Sequence, residues 1–460
     1  MHEVSGTVTG IFIAILVAMI ASLALEEKLH AKKSMITGFF AMISLVLGTV
    51  FHVLPFGGEH ESGVTLALPG GHEVHMPIYI PAIDWEVIAI IFGAGLFIDV
   101  VSRSGIFSWT AIRLTKMSGG DPRRLLIYYS LLTVLFSAVL NNVAAMIIVG
   151  SLTAVSLSKL ERKDLMLGFL LAEGLLTNIG GLLTLISSVP NIILGNLGGI
   201  SFIKFFVVAS PYVVVATVVT VAMAVRIFKI PSLASEEERA AARELVASFD
   251  ETDGIESRRF FALSWFLLAG FILTIATTSF LPYVEQLGMG FVAVSFAIIA
   301  LIRYKHEVDK SYAGVDWDLL AFFTFLFVVI NVMEHALVLD LIGKGIASMI
   351  AWGDVPGGSA LLWSSSLASS VTDNVPLAAV MGKILVAQPD APDFLWWATI
   401  FGTNLGGNFT PIGSASTVVA VAVIHKHGLR LSFGQFVVKA LPFAIAHLVL
   451  ATAYVLLIVR

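Results

Sequence analysis

The sequence predicts an all-α polytopic membrane protein, built as an inverted-topology repeat of about ten full spans, two re-entrant hairpins and two unwound helices. Three observations predict it. The 460 residues are 57% hydrophobic and only 13% charged, with mean hydropathy +0.93, whereas a soluble domain carries about 25% charged residues. Lys and Arg gather in a few clusters between apolar runs of membrane-spanning length. Three polar motifs occur twice, in the same order and at a nearly constant offset.

So little charge cannot keep a chain of this length in water, which excludes a soluble enzyme and a disordered chain. The net charge of −5 offers no basic surface, so no nucleic-acid partner is expected. Cysteine is absent, so there is no disulfide, thiolate metal site or cysteine nucleophile. The first apolar run, 8–25, follows Glu3 instead of a basic stretch and precedes no small-residue cleavage site. It reads as a retained helix in place of a signal peptide.

Uninterrupted spans are expected at 8–25, 35–54, 84–102, 205–228, 260–280, 288–304, 317–338 and 436–458. The basic clusters are Lys28/Lys32/Lys33, 103–124, Lys159/Arg162/Lys163, 226–259, 303–310 and Lys426/Arg430, and all are placed on the cytoplasmic side. Segment 125–158 then has basic residues at both ends and must return to the side it entered, as a re-entrant hairpin. Segment 165–197 crosses outward and 205–228 returns. The second half runs in the opposite sense, with a hairpin at 359–388 entering from outside and a crossing at 394–424. The expected divisions are therefore a first repeat at 1–229, a cytoplasmic linker at 230–259 and a second repeat at 260–460. In the linker, Ser235, Glu236, Glu237, Glu238 and Arg239 form a helix-start pattern. This topology puts 23 of the 27 Lys and Arg on the inner side, leaves out Lys204, Lys344, Lys383 and Arg460, and places both termini outside.

The duplication is read from the chain aligned to itself. Asp84-Trp85 recurs as Asp316-Trp317, and at the same offset of 232 Ser137 meets Ser369 and Asn142-Val143 meets Asn374-Val375. At offset 226, Thr177-Asn178-Ile179-Gly180-Gly181 meets Thr403-Asn404-Leu405-Gly406-Gly407, followed by Thr184 with Thr410 and Ser188 with Ser414. Each half holds five crossings and one hairpin. An odd number inverts the second copy, which is the architecture of secondary transporters.

Irregular backbone survives at membrane depth only where protein or a water-filled cavity satisfies it. The hairpin tips, Asn141-Asn142 and Thr372-Asp373-Asn374, and the glycine-rich breaks place amide, hydroxyl and carbonyl oxygens there. Hard cations prefer such an oxygen shell; the N-termini of half-helices suit anions. One site is expected from Asn142 with Asn178, Gly180, Thr184 and Ser188. The other is expected from Asp373 and Asn374 with Asn404, Gly406, Thr410 and Ser414. Asn141, Thr177, Ser187, Asn191, Thr372 and Thr403 complete the candidate ion-binding set, with Asn142, Asp373 and Asn374 as candidate sodium ligands. Asp373 and the intramembrane Glu173 are the candidate proton carriers; Asp373 has Asn141 as its repeat mate, so the two sites are chemically unequal. Asp99 with Arg103 reads as a local ion pair, and Asp84, Glu86, Asp316 and Asp318 as helix-start residues. Glu59, His60, Glu61, His72, Glu73 and His75 in the outer loop 55–82 match no metal motif and read as a solvated loop.

The runs 140–143, 177–191 and Ser370-Val371-Thr372-Asp373-Asn374-Val375-Pro376-Leu377 resemble the ion transporter superfamily, and within it the ArsB/NhaD permease branch that includes the melanosomal P protein. The resemblance covers about residues 80–457. It implies a multi-pass homodimer in a bacterial or archaeal cell membrane, with elevator-type alternating access and a small ion as its cargo. It implies no organic cofactor, and sodium or protons as the coupling ion. The first expectation is a sodium/proton antiporter. The alternative is a sodium- or proton-coupled transporter of a small anion such as a carboxylate, sulfate or an arsenite-like oxyanion. Ile186-Ser187-Ser188 stands where many members of the branch carry Ile-Gly-Asp, so that acidic residue is missing here. A channel is disfavoured by the inverted hairpins, and a membrane-embedded enzyme by the lack of any His-Glu-x-x-His motif, paired catalytic Asp or serine elbow.

Overall fold

An apolar run outside water must satisfy its own backbone, and a helix does so within one segment. The chain accordingly folds almost wholly into helices. The structure, a computed structural model, describes residues 4–54, 64–67, 73–252, 254–303, 308–372, 374–388 and 392–460. The first half runs α1 (Gly6–Ala24), α2 (Glu26–Leu29), α3 (Lys33–Val50), α4 (Trp85–Ser102), α5 (Ile106–Ser118), α6 (Pro122–Val139), α7 (Asn142–Lys159), α8 (Met166–Gly180), α9 (Val189–Leu197) and α10 (Phe202–Ile227). The linker holds α11 (Glu236–Ala247). The second half runs α12 (Arg258–Thr277), α13 (Val284–Arg303), α14 (Val308–Ala313), α15 (Trp317–His335), α16 (Val338–Ile350), α17 (Asp354–Val371), α18 (Asn374–Val386), α19 (Asp393–Gly406), α20 (Ala415–Lys426) and α21 (Phe433–Tyr454).

The chain is not purely helical. The loop 55–82 contains an antiparallel ribbon of β1 (Val64–Ala67) and β2 (Glu73–Met76), with Val64 opposite Met76. Glu73 and His75 stand on β2, while Glu59, His60, Glu61 and His72 lie outside the described residues. Among the described residues no group of three or more His, Cys, Asp or Glu is placed to hold a metal ion.

Nine helices among the described residues are long and apolar enough to cross a membrane. Eight match the uninterrupted spans read from the sequence; the ninth is α7, the second arm of segment 125–158. Segments 165–197 and 394–424 each break in two, at residues 181–188 and 407–414. Side-chain caps fix the helix starts. Asp84 accepts from the Val87 N–H at 3.1 Å and Asp316 from the Leu319 N–H at 3.0 Å. Their neighbours reach across to other helices: Glu86 accepts from the Gly290 N–H at 2.9 Å, and Asp318 from the Ser34 hydroxyl. So α4 lies along α13 and α15 along α3. Helix α8 packs on α6, and α19 on α17; α20 fits against α7 and α8, and α9 against α18 and α19. Asp99 and Arg103 form the expected pair at 2.6 Å.

Each of the four basic residues that the predicted topology leaves off the inner side has an acidic partner. Lys204 pairs with Asp393 at 2.9 Å, Lys344 with Asp340 at 2.9 Å, Lys383 with Glu334 at 3.0 Å and Arg460 with Asp354 at 2.7 Å.

The linker starts as its sequence predicts: Ser235 and Glu238 form a capping box on α11. Asp121, which caps α6, also accepts from the Ser232 hydroxyl at 2.6 Å and the Leu233 N–H at 2.8 Å, and so pins the linker to the helical body. Burial alone would raise its carboxyl, but the hydrogen bonds from Ser232, Arg124 and Leu233 outweigh it and hold it below the ordinary carboxylate range. A depressed value means the pin is complete above the ordinary carboxylate range and is lost as pH falls through the lowered value. Asp121→Ala is therefore expected to speed amide exchange across 230–235 at neutral pH. Equal exchange in wild type and variant would count against the pin.

Candidate functional site

Helix α8 ends at Gly180-Gly181 and the chain resumes as α9 only at Val189. Side chains of each break and of the first turn of the helix after it satisfy the break's carbonyls. Asn191 donates to the carbonyls of Gly181 (2.6 Å) and Thr184 (3.1 Å), and Ser187 donates to that of Thr184 (2.7 Å). In the second break Thr417 donates to the carbonyls of Ser414 (2.8 Å) and Pro411 (3.2 Å). Each break is tied to its neighbouring helix pair by the same bonds. Ser137 donates to the Thr177 carbonyl and Ser369 to the Thr403 carbonyl, both at 2.6 Å. Thr184 donates to the Ala138 carbonyl, and Thr410 to the Ser370 carbonyl.

The starts of four helices converge on one cavity of about 720 Å³. Asn141 and Asn142 bring the start of α7, Ser188 and Val189 that of α9, Asn374 and Val375 that of α18, and Ser414 and Ala415 that of α20. Each start carries the positive end of a helix dipole, equivalent to about half an elementary charge. Among the described residues at these four starts none is ionisable. Ionisable residues of both signs stand at the mouth: Glu26, Lys32, Lys33, Asp316 and Asp318, with His30 beside them. The described part of the floor is polar and without ionisable side chains, under the positive ends of four helix dipoles; Asp373, directly before Asn374, lies outside the described residues.

Behind this wall the two halves interlock. Ser188 donates to Asn404 Oδ1 at 2.9 Å, and Asn178 Nδ2 donates to Ser414 Oγ at 3.1 Å. Ser188 and Ser414, the last residues of the two breaks, therefore each bond the asparagine on the helix that precedes the other break. Asn404 also donates to Asn191 Oδ1 at 2.8 Å. Asn142 links the first tip to this network through Ser137 (2.7 Å) and Asn178 (3.5 Å).

The predicted residues thus fall into layers. Asn141, Asn142, Ser187, Ser188, Asn374 and Ser414 line the cavity. Asn178, Asn191 and Asn404 lie buried behind them. Thr177 and Thr403 donate to carbonyls of their own helices, and Thr372 donates to the Ala368 carbonyl and lines a smaller adjoining cavity of about 370 Å³. Gly180 and Gly406 are points of close helix approach. Asp373 lies outside the described residues. Glu173 is fully buried on α8 and is not among the residues lining either cavity; its Oε1 accepts from Thr153 at 2.6 Å and its Oε2 has no partner among the described residues.

Four further residues belong to the network: Asn408, Ser416, Thr417 and His447. Asn178 donates to Asn408 Oδ1 at 2.9 Å, and Ser416 donates to Asn178 Oδ1 at 3.2 Å. A signal for His447 was in the sequence, since it is an ionisable residue inside the apolar run 436–458.

With the site defined, comparison with known proteins decides the family. A family model described as "Citrate transporter" matches residues 62–402. The chain belongs to that family. Members of this family are transporters, not enzymes. A 46 kDa membrane protein of Mycobacterium leprae is 30% identical over 380 residues, covering 81% of this chain and 86% of its own. The human P protein is 26% identical over 454 residues, and the match covers 81% of this chain but only 53% of that protein. The solved structure of the Alcanivorax borkumensis YdaH transporter shares the fold: its TM-score is 0.57 at 14% identity, over 92% of this chain and 97% of that one. These matches establish a membrane transporter of the ion transporter superfamily, but not the ArsB/NhaD branch within it.

Proposed function

We propose that this citrate-transporter family member carries a small carboxylate anion across the membrane, coupled to sodium or protons. The observation that carries this reading is the convergence of four helix starts on one cavity. A helix N-terminus stabilises an anion by roughly 0.3–2 kcal/mol, against about 1 kcal/mol for an ordinary hydrogen bond. Four of them together, at about 1–8 kcal/mol, match or exceed a single side-chain hydrogen bond to a charged group, about 1.5–3 kcal/mol. They disfavour a bare cation there and favour an anion, or an anion with its cation. The coupling cation then has the amide and hydroxyl oxygens of Asn142, Asn374, Ser188 and Ser414 available, and by sequence Asp373. Glu26, Lys32, Lys33 and Asp316 at the mouth belong to the face carrying the basic clusters, so the cavity reads as open to the cytoplasm.

Helices α6–α7 and α17–α18 act as the two re-entrant hairpins in this reading, and the chain as an inverted repeat. The reciprocal pairs Ser188–Asn404 and Ser414–Asn178 support it, as does the matched packing of α4 on α13 and α15 on α3. An elevator-type movement of the hairpins and broken helices in a homodimer would provide alternating access. Sodium/proton antiport remains the second reading, favoured by the half-partnered carboxylate of Glu173.

The test is uptake of radiolabelled citrate by proteoliposomes under an inward sodium or proton gradient. Accumulation above equilibrium that collapses with one gradient is expected. Cation exchange that runs at full rate without any carboxylate would select antiport instead.

A further inference from the structure

His447 is fully buried near the middle of α21 and hydrogen-bonded through both ring nitrogens. Ser201 and Ser432 cap α10 and α21, and Pro211 and Pro442 stand inside them; both pairs are 231 positions apart. That register sets Ala216 in the first half at the place of His447. The offset of 226 sets Leu182 at the place of Asn408. An apolar pair therefore fills in one half what a polar pair fills in the other. Burying polar groups this deep costs free energy unless they are bonded, so the polar branch calls for a role beyond filling space.

The hydrogen bonds fix the direction of the branch. Thr220 has one hydroxyl proton, and its oxygen lies 2.6 Å from the Ala216 carbonyl, which can only accept. The proton is used there, so His447 Nε2, 2.7 Å from the same oxygen, must be the donor. In the neutral ring Nδ1 is then the acceptor, and it faces Asn408 Nδ2 at 3.4 Å. Asn408 is thereby held with its Oδ1 toward Asn178, whose Nδ2 donates to it at 2.9 Å. Asn178 is left with its Oδ1 toward Asn142 and Ser416.

We propose that His447 is a positioning residue: through Asn408 it sets the amide of Asn178 so that its oxygen, not its nitrogen, is presented to the hairpin tip at Asn142. This rests on the reading of the cavity as the transport site. Without the ring, Asn408 can flip, Asn178 can follow, and an acceptor behind the cavity wall becomes a donor.

Two measurements test it. The first needs no substrate. In protein labelled with ¹⁵N-histidine, the resonances lost in His447→Gln identify this ring among the 11 histidines. They are expected to report the Nε2–H tautomer, with the Nδ1 resonance shifting in Asn408→Leu and the Nε2 resonance in Thr220→Val. An Nδ1–H tautomer, or an Nδ1 resonance indifferent to Asn408→Leu, would overturn the proposal. The second is citrate uptake. His447→Phe is expected to raise KM about tenfold, the loss of roughly one oriented hydrogen bond, while the maximal rate changes less than about threefold. His447→Gln, whose amide can accept from Asn408 and donate to Thr220, should recover most of the affinity. Adding His447→Phe to Asn408→Leu should do no further harm. An unchanged KM in His447→Phe, or equal damage by Phe and Gln, would sink the relay. Absence of citrate uptake by the wild-type protein would strike the reading of the cavity alone, and the tautomer would still decide the relay.

Discussion

Alanine at Asn142 or at Asn374 is expected to raise the KM for the transported anion by about ten- to a hundredfold, because a hydrogen bond to a charged group contributes roughly 1.5–3 kcal/mol. Both side chains line the cavity at the start of a helix. Asn142 also holds its tip in place, since its amide group lies 2.7 Å from the Ser137 hydroxyl and against Gly181. Asn142→Ala should therefore lower the maximal rate as well, and Asn374→Ala should act mainly on KM. The check is initial-rate kinetics in proteoliposomes at matched protein content. Full activity in both variants, with normal expression, would remove these residues from the site.

The second large effect is expected at the glycines that let the broken helices approach their neighbours. A Cβ on Gly406 would lie 2.4 Å from the Ser366 carbonyl oxygen and 2.5 Å from Ser369 Cβ. On Gly180 it would lie 2.7 Å from Val134 Cα. The obstacles include backbone, so α17 and α19, or α6 and α8, must move apart to admit it. Overpacking of this kind costs about 1–3 kcal/mol. Gly406→Ala should thus unfold at a clearly lower temperature than wild type and lose transport. Gly95 on α4 has open space where a Cβ would go, and Gly95→Ala should be neutral or slightly stabilising, since alanine suits a helix interior by roughly 0.5–1 kcal/mol. Thermal unfolding in detergent checks both; equal midpoints for the two variants would contradict the close approach.

The uninterrupted spans were legible in the sequence because hydropathy is summed over some 20 residues and one polar side chain does not hide it. Helices α5 and α16 were not. Each is only 13 residues long and carries charge, with Arg113 and Lys116 on α5 and Asp340 and Lys344 on α16, so neither stands out as a membrane span. The β1–β2 ribbon was hidden for the opposite reason: its short strands sit in a glycine- and proline-rich stretch that reads as loop. The candidate residues were legible because asparagine, threonine and glycine are out of place in apolar segments. Which ones meet was not, since the bonds from Ser188 to Asn404 and from Asn178 to Ser414 join residues more than 200 positions apart. The expected sites each kept to one half of the chain; the hydrogen bonds cross between halves, because the two breaks lie against each other at the centre of the fold. The expectation of carbonyl ligands at the breaks also changes in emphasis, since Ser137, Ser187, Asn191 and Ser369 already donate to carbonyls there. What faces the cavity is the helix starts, and they favour negative charge.

Ligand-dependent thermal stability of the purified protein reads out that preference for negative charge. A ligand bound only by the folded state at a hundred times its Kd adds about 2.7 kcal/mol of stability. Citrate or another small carboxylate is expected to raise the unfolding temperature, with sodium or acid pH enhancing the shift, and Asn142→Ala with Asn374→Ala is expected to abolish it. Stabilisation by sodium alone, with no response to any carboxylate at any sodium concentration or pH, would contradict an anion-binding cavity.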